Sequence, residues 1–239
     1  MEEQGLDSVL VPLGLSLLGI YHLWLIFQIL RHPRRTTIGL NAESRRQWVL
    51  SLMSDPLKNG VLAVQTIRNN IMASTLLATT AITLSSLIGV FVSSSSDPGK
   101  SVARLVYGNK SSLLWSVKYF SILVCFLVAF LCNVQSIRYY AHASFLTTLP
   151  TAVGKESLDY AARSLNRGSY FWSLGLRAFY VSFPLFLWIF GPIPMLVCCF
   201  LMVFVLYFLD TTTNFTRELH SRSNREAKTE DLEAVNSRI

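Results

Sequence analysis

Long uncharged stretches alternate with short basic ones along this chain, and that alternation predicts its architecture. Residues 9–30, 71–92 and 115–136 are apolar runs, and a fourth run, 178–209, carries no charge over 32 residues. A bilayer core of about 30 Å takes roughly 20 helical residues at 1.5 Å each, so the first three suit single crossings. The fourth would make a helix of roughly 48 Å. Gly191-Pro192-Ile193-Pro194 lies at its middle. One kinked span over 184–209 is the preferred reading, because proline kinks are tolerated in membrane helices. A hairpin turning at Gly191-Pro192 is the alternative. The expected fold is all-α: a polytopic integral membrane protein of four transmembrane helices with amphipathic interfacial helices. A polar tail, 210–239, has few large apolar residues and reads as disordered.

The run at 71–92 is patterned as well as apolar. Ser74, Ala78, Ala81, Ser85 and Gly89 share one stripe, and small residues so placed let a second helix come close. This helix is therefore expected to be the central packed element. Thr75, Thr79 and Thr83 recur every four residues; they either line a pore or bond back to their own helix.

The connecting segments add shorter helices. In 31–70, Asn41 is a candidate cap with Glu43 in the first turn, and Trp48, Val49, Leu52 and Met53 gather on one face. That helix either lies in the interface or packs on the bundle. Asp55-Pro56 predicts a second start that runs into the span at 71. Between 155 and 166, Leu158, Ala161, Ala162 and Leu165 make another amphipathic pattern, closed by Gly168. Tyr170, Phe171 and Trp172 resemble an interfacial belt with Arg177 beside it. Lys118, at the edge of the third span, is expected to snorkel.

Composition agrees with this pattern. Hydrophobic residues make up 51% and charged residues 15%, against about 25% charged in a soluble domain. The net charge of +7 sits mostly beside apolar runs, where it orients helices and meets anionic head groups, so nucleic acid is not an expected partner. With four spans, the segments 31–70 and 137–177 hold twelve Lys or Arg against four acids. They are expected to be cytoplasmic, with the N-terminus and C-terminus both extracellular or lumenal. Sequons at Asn109 and Asn214 fall on that predicted outer side. The first run is too long for a secretory signal and lacks a preceding basic residue.

Candidate chemistry is sparse. Cys125, Cys132, Cys198 and Cys199 all lie in the spans without a metal or redox spacing. No catalytic motif and no carboxylate occurs within a span, so neither an enzyme nor a cation pump is expected, and no cofactor or metal. His22 lacks partner ligands. A polar rim of Arg68, Asn69, Asn70, Asn133, Gln135 and Arg138 collects at the cytoplasmic boundary. It is either an anion or head-group site, or a set of caps and snorkelling arginines.

The run Leu62-Ala63-Val64-Gln65-Thr66-Ile67-Arg68-Asn69-Asn70-Ile71-Met72-Ala73-Ser74-Thr75, with Arg45-Arg46-Gln47-Trp48-Val49 upstream, resembles the domain-of-unknown-function 599 family. These are multi-pass membrane proteins of plants and bacteria, and the length is similar to the plant form. The resemblance covers most of residues 5–215 and implies architecture without an activity. The function expected is a helix-bundle scaffold or accessory subunit in a lipid bilayer, joining a second copy or a membrane-protein partner. An oligomeric channel or transporter for a small solute is the alternative.

Overall fold

The computed structural model describes residues 2–54, 56–94, 112–148, 155–212 and Glu218. Six helices follow in order: α1 (Glu2–Arg31), α2 (Thr37–Ser54), α3 (Pro56–Ser94), α4 (Ser112–Thr147), α5 (Lys155–Leu187) and α6 (Pro192–Asp210). A 3-10 turn (Pro33–Arg35) joins α1 to α2. Four helices, α1, α3, α4 and α6, are long and apolar enough to cross a membrane. Both sequons and most of the tail lie outside the described residues.

Buried positions on the helices alternate by three and four. On α4, Trp115, Ile122, Ala129, Ser136 and Ala143 form one buried series, and Tyr119, Phe126, Asn133, Tyr140 and Thr147 the other. On α1 the buried line is Asp7, Val11, Gly14, Leu18, Tyr21 and Leu25. Such spacing is the seam of left-handed helix packing, at crossings of about +20°. Because α4 carries two full series, it holds α3 on one flank and α5 on the other, with its most extensive contacts to both. The central helix is therefore α4. The expectation that residues 71–92 would be central is corrected: α3 presents one stripe and has one main neighbour.

The long uncharged run is two helices, not one kinked span. α5 ends at Leu187, residues 188–191 turn, and α6 returns. Gly191 stands at φ 155°, a region nearly closed to residues with a Cβ. Pro192 then starts α6 at a position that needs no donor. Gly168 does not close a helix; α5 runs through it, with Gly168 facing Tyr140 and Gly175 facing Asn133.

Direction follows from the contacts. Asp7 meets Trp188 beside the turn, Gly14 faces Cys199, and Tyr21 reaches Asp210. Thus α1 and α6 run parallel. Past α6, Thr36 and Thr211 form an isolated antiparallel bridge, and the Thr212 amide donates to the Arg35 carbonyl at 3.3 Å. Residue 212 therefore lies at the end of the bundle where α1 finishes, opposite the start of α1. The turn at 188–191 makes this arrangement, because it sends α6 back beside the second half of α5.

At that basic end the helices outrun the membrane. The 36 residues of α4 span roughly 54 Å against a hydrocarbon core of about 30 Å. The surplus of α3, α4 and α5 packs with α2 around a second apolar cluster of Val49, Met53, Ile67, Tyr140, Ala143, Ala161, Ala162 and Leu165. We call this the cap. α2 begins five residues earlier than the Asn41 cap expected, because Thr36 caps it, its Oγ1 accepting from the Gly39 amide at 3.2 Å. It packs chiefly on α5.

Candidate functional site

Polar side chains are buried at both ends of the apolar layer, and the two groups differ in kind. At the basic end Arg177 Nη2 donates to Asp210 Oδ1 at 2.6 Å, and the Tyr21 hydroxyl donates to Asp210 Oδ2 at 2.6 Å. Arg177 and Asp210 expose only 13% and 9% of their side chains, so this pair ties α1, α5 and α6 away from water. Beside it, the Thr37 hydroxyl donates to the Leu209 carbonyl at 2.9 Å and the Thr212 hydroxyl to the Arg34 carbonyl at 3.2 Å. The pairing explains why the second half of α5 can lie at membrane depth while carrying an arginine.

At the opposite end the Lys118 side chain is 1% exposed and does not snorkel. Its ammonium lies 5.4 Å from the Trp115 ring centre and 5.3 Å from that of Trp188. The Trp188 indole donates to Asp7 Oδ1 at 3.4 Å. Cation–π contacts with two indoles and the nearby carboxylate offset the desolvation of the ammonium. Lys118 Nζ makes no hydrogen bond. Hence Lys118→Met with Asp7→Asn, which removes both charges and keeps the volumes, is expected to unfold within about 1 kcal/mol of the parent. Thermal denaturation in detergent checks this; a loss above about 3 kcal/mol would show the charges themselves to be structural.

The residues expected to form a polar rim differ in exposure. Arg68, Asn69, Asn70 and Arg138 are exposed, Gln135 is half-buried, and Asn133 is fully buried. Asn133 Nδ2 donates to the Ala129 carbonyl at 2.8 Å, and its Oδ1 has no partner. Arg68 and Arg138 stand at the waist where cap and apolar layer meet. The small-residue stripe splits similarly. Ser74, Ala78, Ala81 and Ser85 are buried, with Ser74 Oγ 3.2 Å from Ser136 Oγ of α4, while nothing lies within 4 Å of a Cβ built at Gly89. Thr75 and Thr79 donate to the carbonyls four residues back. His22 Nδ1 donates to the Leu18 carbonyl at 2.7 Å. Among the described residues no three His, Cys, Asp or Glu side chains gather as metal ligands, and the four cysteines are free.

Three features escaped the sequence reading. Asp7 and Asp210 sit at the margins of apolar runs, where a window reads them as solvated ends. Lys118 lies seven and fourteen residues before Cys125 and Cys132, which are half-buried and buried, and that spacing was the signal that could have placed it inside. The third is an arginine-rich recess of about 260 Å³ in the cap, lined by Arg46, Asp159, Ala162, Arg163 and Asn166. Arg45 Nε donates to Asn166 Oδ1 at 2.9 Å and Asn166 Nδ2 to the Ala42 carbonyl at 3.2 Å. Burial pushes the Arg45 guanidinium below its ordinary range, opposed by Tyr140 and Tyr170, and it stays charged.

An apolar crevice of about 670 Å³ lies in the half away from the cap. Leu84, Leu87, Ile88 and Phe91 of α3 form one wall, Phe179, Phe183 and Phe186 of α5 the other, and Tyr119, Ile122 and Phe126 of α4 the floor.

No curated protein and no solved structure matches the chain. A family model described as "Protein of unknown function, DUF599" matches residues 9–215. That match covers most of the chain, which therefore belongs to the DUF599 family.

Proposed function

We propose that this protein is a non-catalytic membrane scaffold or accessory subunit, and that the crevice between α3 and α5 seats a transmembrane helix of a membrane-protein partner. The observation that carries this reading is the division of polar and apolar surface. The hydrogen bonds of Tyr21 and Arg177 to Asp210 and of Trp188 to Asp7 tie the bundle's own helices together, at two ends separated by the cluster containing Val11, Leu18, Ile122, Phe126, Met195 and Cys199. Thr75 and Thr79, which could have lined a solute path, satisfy their hydroxyls within α3. What remains for a partner is apolar and concave, between walls that α4 alone holds apart. Helices in lipid associate by close packing rather than by a hydrophobic push, so a preformed groove gains contacts that a convex face cannot.

The basic cap is the cytoplasmic side in this reading, by the excess of Lys and Arg there. Residue 212 lies on that side and the start of α1 on the other.

A photo-cross-linking residue at Leu87 or Phe183, on opposite walls, is expected to give one protein adduct of the same size in native membranes. The same residue at Phe208, which is 78% exposed on α6, is expected to give none. Equal patterns from all three positions would remove the crevice as the docking site. Solute flux through proteoliposomes holding this chain alone would replace the scaffold with a channel or transporter.

A further inference from the structure

The cap recess lies at a particular depth. On α5, Gly168 faces Tyr140, half a turn past the exposed Arg138 that marks the waist. Asn166 is therefore about 6 Å beyond the waist and Asp159 about 16 Å, at 1.5 Å per residue. Beyond a hydrocarbon core of about 30 Å the polar head groups occupy roughly 5–8 Å on each side. The Asn166 end of the recess opens in that layer, and its Arg46–Asp159 end stands beyond it. Its charged lining is two arginines and one aspartate, with the Arg45 guanidinium on its Asn166 wall.

Asp159 organises the arginines. Its carboxylate takes Nε and Nη2 of Arg46 at 3.2 and 2.8 Å, and its backbone carbonyl takes Nε of Arg163 at 3.4 Å. Both guanidinium groups are thus held by one edge, leaving the remaining N–H groups for a planar or tetrahedral anion. The Arg46–Asp159 pair exposes 59% and 40% of its side chains, so it is a solvent-screened contact that contributes little and is readily shared.

We propose that this recess binds the phosphate of an anionic phospholipid in the leaflet on the cap side. Arg46 and Arg163 hold the phosphate oxygens, Asn166 closes the wall toward the membrane, and Asp159 is a positioning residue. Basic pockets at this depth on the positive side of membrane proteins recognise head groups by the same chemistry.

The test uses the full chain in detergent, with bound lipid counted by native mass spectrometry against phosphatidic acid, phosphatidylcholine and inorganic phosphate. Phosphatidic acid is expected to be retained over phosphatidylcholine. Arg46→Gln with Arg163→Gln should lower retention by roughly tenfold or more. Arg68→Gln with Arg138→Gln removes the same charge at the waist, outside the recess, and should change little. Equal losses from the two pairs would overturn the site in favour of diffuse attraction. Asp159→Asn adds positive charge but loosens Arg46, so no gain is expected; stronger retention would likewise overturn it. Displacement by excess inorganic phosphate would assign the recess to a free anion and remove the lipid. The four arginines are exposed and Asp159 is half-buried, and helical content by circular dichroism checks that each variant is folded.

Discussion

Arg177→Met is expected to lower the stability of the bundle by about 3–5 kcal/mol, the loss incurred when one partner of a buried ion pair is removed. Asp210 would then be left with one neutral donor, the Tyr21 hydroxyl, in a site where its side chain is 9% exposed. The cost comes from the stranded carboxylate and not from the attraction lost, so the second substitution is the informative one. Arg177→Met with Asp210→Leu removes both charges and should recover most of the stability. It leaves only the Tyr21 hydroxyl unpartnered, at about 1–3 kcal/mol. Unfolding by denaturing detergent, followed by tryptophan fluorescence, measures all three proteins. If the double variant were no more stable than Arg177→Met, Asp210 and Arg177 would not act as a unit. Loss of the pair also releases α6 from α5 and α1, so protease sensitivity beyond residue 209 should rise in the single variant.

Adding one methyl group should destabilise or stabilise this protein according to which glycine receives it. A Cβ at Gly168 would meet Tyr140 Cδ1 at 2.8 Å, and one at Gly175 would meet Asn133 Nδ2 at 2.6 Å. Both partners are buried on the α4 seam, so α5 has to move away from α4. Overpacking of this kind costs about 1–3 kcal/mol per site. Two turns separate the glycines, roughly 10 Å, so the costs should add to about 2–6 kcal/mol in Gly168→Ala with Gly175→Ala. At Gly19, Gly60 and Gly89 nothing lies within 4 Å of an added Cβ. Alanine there should gain up to about 1 kcal/mol each by restricting the unfolded chain and favouring helix. Melting temperatures of the five single variants decide it. A stable Gly168→Ala would mean that α4 and α5 do not approach as closely as their small residues allow.

The glycine comparison shows how much was legible. The stripe on α3 could be read because five small residues recur at helical spacing, and four of them are buried. The stripe on α5, with Ala161, Gly168, Gly175 and Ser182 at intervals of seven, was as regular. It was hidden because Gly168 also reads as a helix stop, and polar residues surround the first half. Arg177 interrupts the apolar window, so hydropathy could not show that α5 continues at membrane depth. The polar rim shows a different limit. Arg68, Asn70 and Arg138 are exposed while Asn133 is buried, because residues close together along a helix can point outward or into a seam. Arg46 and Arg163 sit 117 positions apart, so no local reading joins them.

Sequence alone determined the all-α class, the apolar lengths, the basic end and the uninterrupted passage from Pro56 through the span at 71–92. Each of these is a property of one window: a run long enough for the bilayer, a period of 3.6, or a charge imbalance. The three-dimensional fold decided which helix is central, that residues 178–209 turn back instead of crossing once, and that α1 lies parallel to α6. It also decided that Asp210 and Lys118 are inside. These choices depend on partners far apart in the chain, because the energy of a buried charge or a close helix contact belongs to the pair and not to either residue. A 32-residue uncharged run permits both a kink and a hairpin. Gly191 at φ 155° makes the turn, and Arg177 meeting Asp210 holds it closed.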